Sequence, residues 1–86
     1  LSEVKSIELV KWSYSGIKKV RGYFSKFPHS VIYFRRARSY YLVYTLDWDE
    51  RDPVMTEGDR EEMQVLLNEE LGHISAYKKR KSRRIH

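Results

Sequence analysis

The sequence contains no cysteine, so no disulfide and no thiolate metal site supports its fold. That absence suits a reducing compartment, and the cytoplasm is the expected location. No apolar run approaches the roughly 18 residues of a membrane span, and no signal-peptide pattern opens the chain. It begins with Leu1 instead of Met, which reads as a processed or trimmed chain or a piece of a longer one. Neither an internal repeat nor a low-complexity segment is present. There is no Gly-rich phosphate loop and no nucleophile elbow, so neither an enzyme nor a cofactor is expected. Acids are also missing over long stretches: none lies between Leu9 and Leu46, and none between Lys78 and Arg84.

What is present is charge and aromatic surface. The 86 residues make one domain, expected over 1–80, with a modest core and a basic disordered tail at 81–86. Twelve aromatics help that core, since each ring can bury roughly 150–250 Å². The net charge of +5 is unevenly laid out. The acid-free stretch holds Lys11, Lys18, Lys19, Arg21, Lys26, Arg35, Arg36 and Arg38, while ten of the 12 acids fall between Asp47 and Glu70. Such a split points to a polyanionic partner facing the basic part, or to internal pairing of the two segments.

Coarse elements follow from periodicity. Ser6–Trp12 alternates and carries β-branched residues, so it reads as a strand. Ile17, Val20, Phe24 and Phe27 are spaced by three and four, which predicts a helix over Tyr14–Phe27 with a basic outer face and a stop at Pro28. Ser30–Arg36 and Ser39–Trp48 read as a β-hairpin. Without Asn-Gly or Asp-Gly a tight two-residue turn is not expected, and a three-residue loop over Arg36–Arg38 is preferred. That register puts Ile32, Phe34, Tyr40, Leu42, Tyr44 and Leu46 in the core, and leaves Val31, Tyr33, Arg35, Tyr41, Val43 and Thr45 on the other face. A one-residue slip would exchange the sets. Thr56-Glu-Gly-Asp59 has the form of a capping box. It opens a helix with Met63, Leu66, Leu67 and Leu71 on one side, ended by Gly72. The segment from His73 to Arg80 reads as a last strand with Ile74 and Ala76 inward. The expected fold is therefore α+β, in the ferredoxin-like order β-α-β-β-α-β, with a four-stranded antiparallel sheet and two helices on one face.

The stretch Tyr33–Tyr44, YFRRARSYYLVY, holds five rings and three arginines without an acid. It is either an ordinary hairpin or a surface where bases stack and guanidinium groups hold phosphates. On the second reading Tyr33 and Tyr41 stack, and Arg35, Arg36 and Arg38 hold backbone. Lys18, Lys19 and Arg21 steer, and Tyr77, Lys78, Lys79 and Arg80 extend the surface. The tail also has the composition of a nuclear-import signal, should the source be eukaryotic. Arg38, Tyr40, Leu42 and Val43 fit the third-strand signature of RNA-recognition motifs, while Ser39, Tyr41 and Thr45 depart from it. Asp47, Asp49, Glu50 and Asp52 lack the glycine and distant Glu of an EF-hand loop, so they read as loop acids and no metal site is expected. His29, His73 and His86 are scattered surface residues.

SIELVK at the first strand, the lysine-rich stretch after it, YYLVY, VMTEGD and LLNEELGHIS, spanning Ser6 to Tyr77 with gaps, together resemble the RegA translational repressors of T-even-type phages. The chain is shorter, its loop before MTEGD is tighter, and a basic tail replaces the C-terminal region. The resemblance implies an RNA-binding regulator that occludes ribosome-binding sites and does no chemistry. The expected partner is RNA or another single-stranded nucleic acid, with no membrane involved. The alternative is a protein-interaction module, such as an inhibitor of a host factor or a dimerising subunit, using the same sheet face.

Overall fold

The computed structural model describes residues 7–83. They form β1 (Leu9–Gly16), β2 (Lys19–Phe24), β3 (Phe27–Ala37), β4 (Tyr40–Asp47), α1 (Glu57–Leu71) and α2 (Ile74–Arg83). Each strand pairs antiparallel with the next, so the sheet order is β1-β2-β3-β4. The architecture is α+β, an open four-stranded antiparallel sheet with two helices. The element order β-β-β-β-α-α replaces the ferredoxin-like β-α-β-β-α-β.

Two segments account for the difference. Residues Tyr14–Phe27 are strand and turn instead of helix. Val20, Gly22 and Phe24 alternate inward and are buried, while Lys19, Arg21 and Tyr23 point the other way. Gly22 hides this period of two because it has no side chain to count. The rings of Phe24 and Phe34 occupy its space: a Cβ there would lie 3.0 Å from Phe24 Cε1 and 3.2 Å from Phe34 Cε1. Ile17, which completed the helical stripe, sits in the turn after β1 and is 87% exposed. The second segment is Ile74–Arg83, which is helix α2 instead of a strand. It continues through Lys81, where a disordered tail was expected to begin; residues 84–86 lie outside the described residues. Ser6, the expected start of the first strand, also lies outside them.

The expected hairpin exists with a different turn and a bulge. Its turn is the two residues Arg38-Ser39, with Arg38 at φ 63°. Tyr33 pairs with Thr45 but Phe34 pairs with Val43, leaving Tyr44 as the extra residue. An inserted residue reverses which side chains face inward. Beyond the bulge, Tyr41 and Val43 therefore turn toward the core, and Tyr40, Leu42 and Tyr44 turn outward. Ile32 and Leu46, on the other side of the bulge, face the core as expected.

The core gathers Val20, Phe24, Phe27, Ile32, Phe34 and Tyr41 from the sheet against Met63 and Leu67 of α1. The capping box at Thr56 is formed: the Asp59 N–H donates to Thr56 Oγ1 at 3.1 Å, and the Thr56 N–H donates to Asp59 Oδ2 at 3.1 Å. Gly72 closes α1 at φ 84°, the left-handed conformation expected of it. Lys26 in the β2–β3 turn donates to both Asp59 oxygens, at 3.0 and 3.1 Å. Burial pushes the Asp59 carboxyl up, but the Thr56 N–H, the Lys26 ammonium and the Thr56 hydroxyl outweigh it and hold the group below its ordinary value.

Helix α1 also closes the free edge of β4. The Tyr41 N–H donates to Asn68 Oδ1 at 2.8 Å, and Asn68 Nδ2 donates back to the Tyr41 carbonyl at 2.9 Å. The Val43 N–H donates to Gln64 Oε1 at 2.9 Å. Two buried carboxamides thus do what a fifth strand would do, and satisfy backbone groups that an edge strand leaves open. Gln64 Nε2 donates to the Tyr77 hydroxyl at 3.0 Å, and that hydroxyl donates to Glu61 at 2.8 Å, which ties α2 to α1.

Candidate functional site

The sheet face turned away from the core follows from the register. Gly16 pairs with Lys19, Ser13 with Arg21 and Lys11 with Tyr23. Lys19 pairs with Arg35, and Arg21 with Tyr33. Tyr33 pairs with Thr45 and Arg35 with Leu42. Residues directly opposite one another share a face, so Lys11, Lys19, Arg21 and Arg35 lie together with Tyr23, Tyr33 and Leu42. Tyr44 joins them at the bulge. Its ring takes the Arg35 guanidinium at 5.4 Å and the Lys19 ammonium at 5.8 Å. Lys11 lies over Tyr23 at 4.8 Å. Tyr23 and Tyr33 are half-buried between their neighbours, and Tyr44, 42% exposed, is the most open of the three rings.

The meander concentrates charge at one end of this face. The β1–β2 turn and the β3–β4 turn lie side by side, because the Arg36 N–H donates to the Lys18 carbonyl at 2.9 Å. Lys18, Lys19, Arg35, Arg36 and Arg38 therefore crowd one rim. Arg36 Nε donates to the Arg38 carbonyl at 3.0 Å, which fixes where that guanidinium points. Lys18 and Arg38 both hold positive φ, 59° and 63°, a conformation that costs a non-glycine residue about 1–2 kcal/mol. At the opposite end of the face Asp47 stands across from Val31 and Lys11 across from Tyr23, so the excess of cations is confined to the rim.

Among the described residues, salt bridges join Lys26 to Asp59, Arg51 to Asp49 and Arg60 to Glu57. None involves Lys11, Lys18, Lys19, Arg21, Arg35, Arg36 or Arg38. Asp49, Asp52, Glu57 and Asp59 of the acidic segment are thus occupied elsewhere. The Arg51 guanidinium beside Asp49 holds that carboxyl well below the usual carboxylate range. Asp52 accepts from the Ser30 hydroxyl and the His29 N–H. No group of three or more His, Cys, Asp or Glu stands together in a metal-holding arrangement among the described residues. Two buried side-chain donors there lack a hydrogen-bond partner, and both are arginine Nε atoms, of Arg21 and Arg80. A buried unpaired donor is uncommon enough to need a reason.

The expected site residues separate into three groups. Tyr33, Arg35, Arg21 and Lys19 share the open face, with Lys18, Arg36 and Arg38 at its rim. Tyr41 does not: it is 4% exposed and packs against His73 at 5.6 Å. Tyr77 is 1% exposed inside the helix pair, where burial and the Glu61 carboxylate push its hydroxyl pKa up. Neither can stack a base. Lys78, Lys79 and Arg80 stand on α2 beside the β4 edge instead of on a fourth strand. Lys79 and Arg80 line a groove with Arg38 and Tyr40. Sequence reasoning missed Lys11, Tyr23 and Tyr44. The signal for Tyr23 was its alternation with Val20, Gly22 and Phe24; the bulge that exposes Tyr44 leaves none.

No helix is long and apolar enough to cross a membrane among the described residues. No curated protein and no solved structure matches the chain. Its residues 8–82 match the model of the family described as uncharacterised protein YuzH, and the chain belongs to that family.

Proposed function

We propose that the protein binds single-stranded nucleic acid, RNA foremost, through the open sheet face and its basic rim, and performs no chemistry on it. One observation carries the reading: Lys11, Lys18, Lys19, Arg21, Arg35, Arg36 and Arg38 lie on one face or rim, none in a salt bridge among the described residues, with tyrosine rings among them. Phosphates would be held at the rim by Arg36, Arg38 and Lys18, and Tyr44 would offer the stacking plane. A flat face with separated rings suits unstacked bases better than a duplex, which is usually read by an element inserted in a groove. The resemblance to RegA repressors supplies the regulatory form of this reading: occupation of a messenger segment.

The test is titration of a fluorescent single-stranded oligonucleotide at several salt concentrations. Each phosphate contact adds roughly 0.7 to the slope of log affinity against log salt for a single strand. Arg36→Gln with Arg38→Gln should therefore lower the slope by about 1.4. Tyr44→Ala should weaken binding about 5- to 100-fold with the slope unchanged. An unchanged slope in the double variant removes the rim from the reading. Affinity for a stoichiometric protein partner that survives salt would favour an interaction module instead.

A further inference from the structure

Between the start of β4 and the last turns of α2 lies a groove of about 710 Å³. Tyr40, Leu42 and Ala76 give it apolar walls, and Arg38, Lys79 and Arg80 surround them with positive charge. It is continuous with the open face, because Leu42 is paired with Arg35, and with the rim, because Arg38 forms the hairpin tip. Tyr40 is held in place on two sides: its ring meets Tyr77 edge-on at 6.2 Å, and the Arg80 guanidinium lies 5.7 Å from its centre. Arg80 is positioned in turn over Tyr77 at 4.6 Å, and its Nε is the second buried donor without a partner.

We propose that this groove is a nucleotide subsite, in which one base of the bound strand leaves the sheet and lies against Tyr40, Leu42 and Ala76 while Arg38 and Lys79 hold its phosphate. The inference rests on the nucleic-acid reading above but adds to it an open groove that extends the sheet surface past the β4 edge. Two features converge on this ligand. The volume falls within the roughly 300–1,000 Å³ of sites that enclose small ligands. The pairing of apolar walls with cations matches a flat base joined to an anion, whereas a phosphate alone would leave Leu42 and Ala76 unused. A splayed base presents its edges to side chains, so the groove is where any sequence preference of the protein would reside. The cations of the rim contact only backbone.

Two measurements separate the subsite from the face. In amide-resolved NMR, adenosine or uridine 5′-monophosphate should shift Ser39, Leu42 and Lys79, and inorganic phosphate at the same concentration should not shift Leu42. Ala76→Trp fills the groove from the solvent side of α2. It should weaken binding of an eight-nucleotide strand about tenfold at fixed salt and leave the salt slope intact. Lys79→Gln, at an exposed position away from the core, should weaken it and lower the slope by about 0.7. If the strand binds and Ala76→Trp binds it equally well in its folded form, the subsite is wrong and the face reading stands. If phosphate alone reproduces every shift, the groove is an anion site and the proposal falls. If the monophosphates shift these amides but no strand binds, the face reading fails and the groove is a site for a free mononucleotide, which overturns its role as a subsite of a strand.

Discussion

Asn68 should be among the residues on which stability depends most. Its side chain is completely buried and makes three hydrogen bonds: from the Tyr41 N–H at 2.8 Å, to the Tyr41 carbonyl at 2.9 Å and to the Gln64 carbonyl at 2.7 Å. Asn68→Leu keeps the volume and removes all three. The Tyr41 N–H and C=O then face Leu methyl groups, and each orphaned group costs about 1–3 kcal/mol. Burying Leu in place of a carboxamide recovers part of that, for a net loss of about 2–4 kcal/mol. A chain of this length holds about 4–13 kcal/mol in total. The midpoint of thermal unfolding should fall by about 10–25 °C. Asn68→Asp sharpens the test. The carboxylate still accepts from the Tyr41 N–H but meets two carbonyl oxygens with nothing to donate. Its folded pKa is raised, so the variant should regain stability as pH falls and the acid becomes a donor. Circular dichroism measures the midpoints, and hydrogen exchange reads the Tyr41 amide directly. A Leu variant that melts with the parent, or a Tyr41 amide that stays protected in it, would refute the edge-sealing role.

Further outcomes follow from the caps and the turns. Thr56→Ala should cost about 1 kcal/mol in urea unfolding at neutral pH. The Asp59 carboxyl titrates below its ordinary 3.8 in the folded chain, so its contribution is whole above that value and is lost as pH falls through the depressed one. Lys26→Gln should therefore shrink the difference in urea midpoint between pH 7 and about pH 2. Arg38→Gly relieves a positive φ and should raise stability by about 0.5–1 kcal/mol, while lowering the salt slope for an oligonucleotide by about 0.7. Opposite signs in those two assays would show strain retained for binding; a stability loss would argue against strain at the tip.

The parts of the fold legible in the sequence were those fixed by local chemistry. Thr56 with Asp59 and Gly72 marked both ends of α1, and Val31, Tyr33, Arg35 and Thr45 were rightly placed on the open face. Errors arose where a distant contact decides. Gly22 fills an inward position by giving room to Phe24 and Phe34, and an alternation with a silent middle member read as helical spacing. The bulge at Tyr44 depends on pairing with β3, so no residue within the strand signals it, and Tyr41 was placed on the wrong side. Ile74–Arg83 combined a short alternation with a basic run. The spacing of three between Ile74 and Tyr77 was the helical cue, and Lys and Arg are themselves good helix formers. The helix expected over residues 14–27 would have carried Lys18, Lys19 and Arg21 on the covered side of the sheet; as strand and turn the segment sets Lys19 opposite Arg35 and Arg21 opposite Tyr33.

Every strand pair in this sheet joins neighbours in the chain. During folding, each pairing therefore closes only a two-residue turn, and the entropy of loop closure stays small. Loop-closure entropy grows with separation, so the contacts of Asn68 with Tyr41 and of Trp12 with Glu70 across 58 residues should form last. Until then the meander displays Val20, Phe24, Ile32 and Phe34 to water with an unsealed margin at β4. The rate at which α1 docks therefore sets how long a freshly made chain is open to association with its own copies.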